Sequence, residues 1–450
     1  SGAESADSGD DSPCALGPRP SPRRTSRAGG EASPEAGSAS PRGALQAEDA
    51  DEVDPGGLLE FTSCFESSNL RCAVYVPEHD AYDLYLEKDL NTRGHVQWFY
   101  FAVRGARPGA TARLRIVNMS KAKSLYRAGM RPVVWSEAAT EEACGTAGHE
   151  ADPLWAGVAG RASQLWRPSD HAARYYRTRP DRSGCPRSGY TLEFDLTFGP
   201  WEDDCVFVAM CVPFTYTMLS ASVATALRDP ALRQLCRAKV LCKTLGGLRC
   251  DLLEISNWSV SRREKRTVVI SSRVHPGETN ASWMAHGLIG FLLSPTAEAE
   301  VLRDNFVFQI VPMLNPDGVI CGNYRCGLCG VDLNRQWQHP SKALHGTVYA
   351  MKKMIRKAKK SGRLCLYVDL HGHSRKQGIF SYACGSFPPD DFRRFTVRMY
   401  PKLLGMLIPE FAASSCRWST GKGKRGTGRV VVAKDIGLVE TYTVEVSFFG

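Results

Sequence analysis

The stretch SSRVHPGETNASW, Ser271 to Trp283, sets a histidine and a glutamate three residues apart, His275 and Glu278, with Pro276 and Gly277 between them. A catalytic zinc ion usually takes three protein ligands from His, Asp and Glu and leaves its fourth position to water. His275 and Glu278 can supply two of the three from one loop. A second apolar run ends in VDLHGH, Val368 to His373, and two strand ends meeting over one edge of a sheet would bring His371 beside that loop. His373, two residues on and on the same strand face if the strand continues, competes for the same place. Asp369 either orients a ligand histidine or satisfies nearby backbone donors. Alone, H-x-x-E is a weak signal, since a surface histidine near a turn produces it by chance.

Chemistry of this kind needs a rigid frame. The β-branched run Val268, Val269 and Ile270 feeds directly into the loop of His275. Beyond PFTYTML (Pro213 to Leu219), the strand-like runs RTVVISSRV, NFVFQIVPML, RLCLYVDLH and QGIFSYAC alternate with helix-length amphipathic stretches near 279–294, 342–361 and 390–408. Such alternation predicts an α/β domain over 219–450, a mixed or mostly parallel sheet flanked by helices. In open α/β sheets chemistry collects beyond the carboxyl ends of strands, where His275 and Glu278 fall. Ahead of it, from Leu58, short β-branched and aromatic runs (LRCAVYV, YDLYLEK, QWFYFAV, ARLRIVN, YTLEFDLTF, CVFVAMCV) separated by turn residues predict an antiparallel β-sandwich over 53–218. A segment richer in Gly, Ala, Arg and Ser around 137–188 reads as an insertion in that domain. Residues 1–52, almost without aromatics, read as a disordered tail.

With 450 residues and 43% hydrophobic side chains, the chain can bury a sizeable core and still shape a cleft. No charged-then-apolar leader and no apolar run near eighteen residues stands out, so the expectation is a soluble, cytosolic protein without a membrane span. Sixteen cysteines in so long a chain fall well short of a disulfide scaffold, which fits a reducing compartment. Cys326-x-x-Cys329 lacks a second pair at zinc-ribbon or finger spacing and reads as two ordinary thiols. The net charge is +10, and between Lys342 and Arg429 nineteen Lys/Arg face four Asp/Glu, which suggests an acidic partner, nucleic acid or polypeptide. For MKKMIRKAKKSGR (Met351 to Arg363) a solvated helix face is the simpler reading. Gly421, Gly423 and Gly426 spell G-x-G-x-x-G, but a strand rather than a helix is expected after them, against a dinucleotide site. There is no phosphate-binding G-x-x-x-x-G-K-[ST]. The N-x-S sequons at Asn118, Asn257 and Asn280 read as chance matches.

The weak H-x-x-E signal gains weight from its company. MLNPDGVICGNYRCGLCGVDLNRQW (Met313 to Trp337) and TYTVEVSF (Thr441 to Phe448) complete an ordered set with HPGE and DLHGHS. At this point the chain resembles the zinc metallocarboxypeptidases of the M14 type. It is more similar still to the cytosolic carboxypeptidases, and within them to the subgroup of types one and four, through HPGE-T-N-A-SW, NPDGV, DLNRQW, HGHS and TGRVVV. QWFYF, NMSKAKSLYRAGMRP and PFTYTML extend the resemblance over the β domain, so that it spans roughly Leu58 to Gly450.

The resemblance implies that His275, Glu278 and His371 bind one zinc ion, with His373 near the substrate or behind the ligands. It implies that Glu445, in the apolar strand TYTVEVSFF, is the catalytic base and then acid. Without the other motifs, a glutamate there would suggest an edge strand facing solvent. Arg325 of GNYRC would stabilise charge on the carbonyl oxygen. Asn334 and Arg335 of DLNRQW would hold the substrate's terminal carboxylate, for which a guanidinium offers paired hydrogen bonds. Arg429 is the candidate cation for a terminal glutamate side chain, and Lys424 and Arg425 are either further basic charges at the rim or solvated loop charges. The implied activity is removal of C-terminal glutamates from acidic protein tails, tubulin foremost, without nucleic-acid or membrane partners. A catalytically silent module that binds acidic tails on microtubules is the alternative, and a deacylase of small acidic amides a weaker third. Family members continue past the position of Gly450, usually with a closing helix, which puts the independent stability and activity of the present chain in question.

Overall fold

Strands whose side chains alternate between a shared interior and solvent build the first part of the fold. The computed structural model describes residues 59–146, 165–178 and 189–449. The tail expected over 1–52 and much of the insertion expected around 137–188 lie outside the described residues. Ten strands form two five-stranded sheets: β1 (Glu60–Thr62), β2 (Leu70–Val76), β3 (Ala81–Leu86), β4 (Tyr100–Arg104), β5 (Thr111–Met119), β6 (Val133–Ser136), β7 (Arg167–Pro168), β8 (Arg174–Arg177), β9 (Tyr190–Thr197) and β10 (Val206–Ala209). The orders are β1-β4-β10-β6-β7 and β2-β3-β5-β9-β8. Leu84, Phe99, Phe101, Leu114, Ile116, Phe194 and Val208 share one core between them. Every pair is antiparallel except β3 and β5, which run parallel because the chain crosses to the other sheet as β4 before returning. The described parts of the insertion are helix α1 (Glu137–Thr146) and the edge strands β7 and β8, one added to each sheet.

A third sheet has seven strands: β11 (Cys236–Lys243), β12 (Arg249–Ile255), β13 (Arg266–Ser272), β14 (Phe306–Val311), β15 (Leu364–His373), β16 (Ile379–Ala383) and β17 (Thr441–Ser447), in the order β11-β12-β14-β13-β15-β17-β16. The central four, β14, β13, β15 and β17, are parallel, and antiparallel strands flank them. β13 is buried at six of seven positions, since helices cover both of its faces and an apolar run replaces alternation. The preceding α2 (Tyr216–Arg228) and α3 (Pro230–Leu235) lead into the sheet, and α4 (Thr279–Leu293), α5 (Ala297–Asn305), α6 (Pro316–Ile320), α7 (Gly346–Lys360), α8 (Arg393–Leu407) and α9 (Gly428–Lys434) follow. Val268, Ile270, Val368, Leu370 and Val444 pack with Ala281 and Ala285 of α4 on one face. Val269 and Tyr367 pack on the other with Val348, Met351 and Ile355 of α7 and Val431 and Val432 of α9. Among the described residues no helix is long and apolar enough to cross a membrane.

Two readings of the sequence change. RVVVA is not a strand but the helix α9, and it follows the three glycines directly. Val430, Val431 and Val432 are all buried, so packing on every side outweighs the modest helix cost of β-branched residues. No strand runs into the three glycines, against a dinucleotide site, and of the three Gly426 alone serves packing, since a Cβ there would collide with the Arg335 backbone while Gly421 and Gly423 have open space around them. The basic run on α7 is solvated only in part, because Lys352 is buried and donates to the carbonyls of Trp337, at 2.6 Å, and Gln338, at 2.8 Å. It anchors the end of DLNRQW.

Candidate metal centre

β13 stops at Ser272, and the chain turns through Arg273 in the left-handed region, φ 55°, into the loop of His275. The buried Arg273 guanidinium ties that loop down, donating to the Pro276 carbonyl at 2.7 Å, the Ser282 hydroxyl at 2.9 Å and the Phe214 carbonyl at 3.1 Å. Burial pushes its pKa down to about 10. Glu278 occupies the N-cap of α4, yet its carboxylate does not cap the helix. Glu278 Oε1 lies 2.8 Å from His275 Nδ1, and Oε2 lies 2.9 Å from His371 Nδ1 and accepts from the Gly372 amide at 3.0 Å. NPDGV backs the same loop. Asn315 donates to the Val274 carbonyl at 3.1 Å, and Gly318 lies so close that a Cβ there would meet Pro276 and the Cys326 carbonyl.

His275, Glu278 and His371 each offer a ligand atom within 4.8 Å of the others, and all three residues are buried. The far nitrogen of each imidazole has a carboxylate: His275 Nε2 is 3.1 Å from Asp332 Oδ1, and His371 Nε2 is 2.8 Å from Asp369 Oδ2. That arrangement turns both Nδ1 atoms inward, as ligand histidines with carboxylate partners require. Asp369 itself accepts from the Ser271 hydroxyl at 2.6 Å, so it orients the histidine as one of the two sequence readings had it. Burial would lower the His371 pKa, but Asp369 and Glu278 raise it well above the ordinary range. Burial would raise the Glu278 pKa, and His275 and His371 hold it well below. Positive charge is therefore favoured among these donors, and two imidazole nitrogens with one carboxylate oxygen suit zinc. His373 stands apart: its Nδ1 accepts from the Lys376 amide at 2.9 Å, and its ring meets Phe380 edge-on.

Glu445 is the register partner of His371 across the parallel β15–β17 pair, and its neighbour Val444 points into the opposite core, so both side chains share one face. β17 lies between β15 and β16, not at an edge. Glu445 is half-buried. Burial, with Glu278 adding to it, pushes its pKa up to about 7 against the pull of His371, His275 and Lys424.

DLNRQW contributes a residue that the motif reading passed over. Asp332 accepts from Arg325 Nε at 3.0 Å and, through the same oxygen, from Arg325 NH2 at 2.8 Å, while its other oxygen faces His275. One carboxylate thus sets both His275, a candidate ligand, and Arg325. Burial alone would raise its pKa, but Arg325, His275 and Arg335 hold it well below the usual range. A signal existed, since ligand histidines need carboxylate partners and an aspartate stands in the motif itself. Asn334 is buried, with Oδ1 accepting from the Gly428 amide at 2.9 Å at the start of α9 and Nδ2 3.2 Å from His371 Nε2. Arg335 NH1 lies 3.5 Å from Asp332. Arg429, on α9, is 6% exposed, donates through NH1 to the Ala383 carbonyl at 2.7 Å and leaves Nε without a partner. Burial lowers its pKa while Cys384 and Glu445 work the other way. Arg425 is exposed beside it in sequence. Cys326 and Cys329 are free thiols and belong to no metal-binding group among the described residues. Asn280 spends its side-chain amide on the Val446 and Ser447 carbonyls, at 2.7 and 3.1 Å, which leaves no place for a glycan.

A zinc carboxypeptidase family profile matches residues 227–398, and one for the cytosolic carboxypeptidase N-terminal domain matches 61–143. Cytosolic carboxypeptidase 2 of Homo sapiens is 39% identical over 398 residues, 87% of this chain and 41% of that protein. Cytosolic carboxypeptidase 1 of Homo sapiens is 38% identical over 418 residues, 88% and 33% respectively. The Danio rerio cytosolic carboxypeptidase 2 is 37% identical over 396 residues, 87% of this chain and 52% of that protein. The chain therefore spans about half the length of these relatives or less. The fold is that of a metallo-carboxypeptidase from Burkholderia cenocepacia, with a TM-score of 0.64 at 21% identity over 87% of this chain and 90% of that one. A metallo-carboxypeptidase from Pseudomonas aeruginosa superimposes with a TM-score of 0.63 at 20% identity over 86% and 90%.

Proposed function

Because the chain belongs to the zinc carboxypeptidase family, in the branch of the cytosolic carboxypeptidases, we propose that it is a zinc-dependent metallocarboxypeptidase that removes C-terminal glutamates from acidic protein tails, tubulin's among them, in the cytosol. The observation that carries the reading is the convergence of His275, Glu278 and His371, with Glu445 in register beside His371. Zinc held by those three residues would polarise a peptide carbonyl and acidify water. Glu445 takes the proton from the attacking water and returns it to the departing amine, a task that a carboxyl pKa near 7 suits. Arg325, aimed by Asp332, stabilises negative charge as it grows on the carbonyl oxygen. Arg335, with Asn334 beside it, pairs with the terminal carboxylate. Arg429 faces the side chain of the leaving glutamate, a role consistent with a buried guanidinium that has an unpaired Nε.

The Lys/Arg excess between Lys342 and Arg429, beside a site proposed to take a chain terminus, supports an acidic polypeptide over nucleic acid as the partner. A polyglutamate-tailed peptide incubated with the protein, with and without chelator, tests the reading by mass spectrometry of released glutamate. Release that chelator abolishes supports it. Failure of folded, zinc-loaded protein to release glutamate would favour a silent module that binds acidic tails.

A further inference from the structure

We propose that Asp89, in the N-terminal β domain, is a positioning residue of the active centre: its carboxylate fixes the loop that presents Arg325, so that the β domain completes the site. Asp89 follows β3 and is 2% exposed. Its Oδ1 accepts from the Tyr324 amide at 2.6 Å, and its Oδ2 accepts from the amides of Arg325 and Cys326, each at 2.7 Å. Three consecutive backbone N–H groups close on one carboxylate, a concave anion nest filled by a side chain. Such charge-assisted bonds are short and roughly twice as strong as neutral ones.

The neighbours of Asp89 extend the grip. The Leu90 amide donates to Asn323 Oδ1 at 3.1 Å, and Asn91 Nδ2 donates to the Leu328 carbonyl at 2.7 Å. Gly330, at φ 71°, sits against the Asn91 carbonyl, where a Cβ would collide. From the segment between β1 and β2, the Ser67 hydroxyl donates to the Val319 carbonyl at 2.7 Å. The segment from Val319 to Gly330, Arg325 at its middle, is therefore held along its length by residues 67 and 89–91.

Two features connect this grip to chemistry rather than to stability alone. Arg325 is fixed at its guanidinium by Asp332 and at its own backbone amide by Asp89, so both ends of the side chain have a set origin. Tyr324, whose amide Asp89 holds, accepts from the Gly277 amide at 2.8 Å, and a Cβ on Gly277 would lie 2.6 Å from the Tyr324 ring. Gly277 stands between His275 and Glu278. Displacing the loop by about 1 Å would move the charge-stabilising guanidinium off its target, a scale of error that costs roughly 10²-fold in rate.

The inference rests on the role of Arg325 in the proposed peptidase, and the test separates the two. In the full chain, Asp89→Asn keeps the side chain's shape but turns one accepting oxygen into a donor facing the amides. The expected result is a fall in kcat of about 10- to 100-fold with KM changed less than about 3-fold and zinc content unaltered. In an Arg325→Ala background the same substitution should change kcat by less than about 2-fold, because the group it positions is gone. Hydrogen exchange of residues 323–327 should quicken in Asp89→Asn whatever the substrate. Asp89→Glu, which keeps the charge but displaces the carboxylate, should lower kcat in the same way and serves if Asp89→Asn folds poorly. An unchanged kcat, or an equal fall in both backgrounds, would overturn the inference. No glutamate release by the wild-type protein would count against the proposed substrate only. The grip on the loop is then read from exchange alone, and unchanged exchange overturns it.

Discussion

Replacing Asp332 by asparagine tests how one carboxylate serves two masters. Its Oδ1 faces His275 Nε2 at 3.1 Å and accepts from the Asn334 amide at 2.7 Å, while Oδ2 takes both Arg325 nitrogens. Asparagine has a single accepting oxygen. The Asn334 amide and the His275 N–H together hold that oxygen on their side, which turns the new NH2 group against the Arg325 donors, formerly 3.0 and 2.8 Å from an oxygen. Donor then meets donor, and the guanidinium must swing away. Losing one well-placed donor to a developing oxyanion costs about 10²- to 10³-fold in kcat, or ~2.7–4 kcal/mol. The ligand histidine keeps an acceptor but loses a full negative charge behind it, so zinc affinity should fall toward the lower end of the 10- to 100-fold range, ~1.4 kcal/mol. Competition with a calibrated chelator measures the affinity, and steady-state release of glutamate at saturating zinc measures kcat. Should both remain within 2-fold of the wild type, the bridging role of Asp332 is wrong. A large loss of zinc affinity with kcat intact would show that the oxygen turned toward Arg325 instead.

Further outcomes are expected for the base, the pocket cation and the metal. Glu445→Gln should retain one zinc per chain by elemental analysis and lose about 10²- to 10⁴-fold in turnover. Since the Glu445 pKa rises from 4.5 to about 7 on folding, the folded state binds the proton more tightly, so this group's contribution to stability declines as pH climbs through that window. Glu445→Gln should therefore raise the Tm of zinc-free protein at pH 8, by at most ~3 kcal/mol in stability because the side chain is only half-buried, and no Tm gain would contradict the assignment. The base must be ionised to act, so kcat/KM of the wild type should drop on the acid side with an apparent pKa at or below about 7, since bound zinc adds positive charge beside Glu445, and a profile without an acid limb would argue for another base. Arg429→Gln should raise KM for glutamate-ended peptides by about 10-fold or more while sparing peptides with a neutral terminal residue, a contrast read from paired kinetics. Zinc at 1,000 times its Kd should stabilise the fold by ~4.1 kcal/mol, seen as a drop in Tm on adding chelator that zinc reverses.

The strands that bear the candidate metal site were plain in the sequence. RTVVISSRV and RLCLYVDLH are nearly continuous apolar runs because β13 and β15 are buried on both faces, and such runs leave little else to be. Helix α4 was found within a residue of its observed end. Other features were hidden. The pair β11 and β12 carries charged residues along a half-exposed strand and gave no clean alternation. The helix α9 was hidden by its three valines, whose local preference for strand is overridden only by a core assembled from Trp337, Tyr367 and Leu438. Asp89 offered no signal at all, since its partners lie more than two hundred residues away.

By itself the sequence determined which chemistry was available: two imidazoles and a carboxylate at strand ends, a second carboxylate in an apolar strand, and arginines in loops between them. Residue type and spacing are local properties, and ligand chemistry depends on type. Tertiary structure alone decided which nitrogen of each histidine faces inward and that Asp332 and Asp89 hold the arginine loop, and it seated His371 rather than His373 in the group, a choice that residue type and spacing left open and only the family resemblance had made. Those choices follow from hydrogen bonds between segments far apart in the chain, and no local pattern encodes a distance that exists only after the sheets have packed.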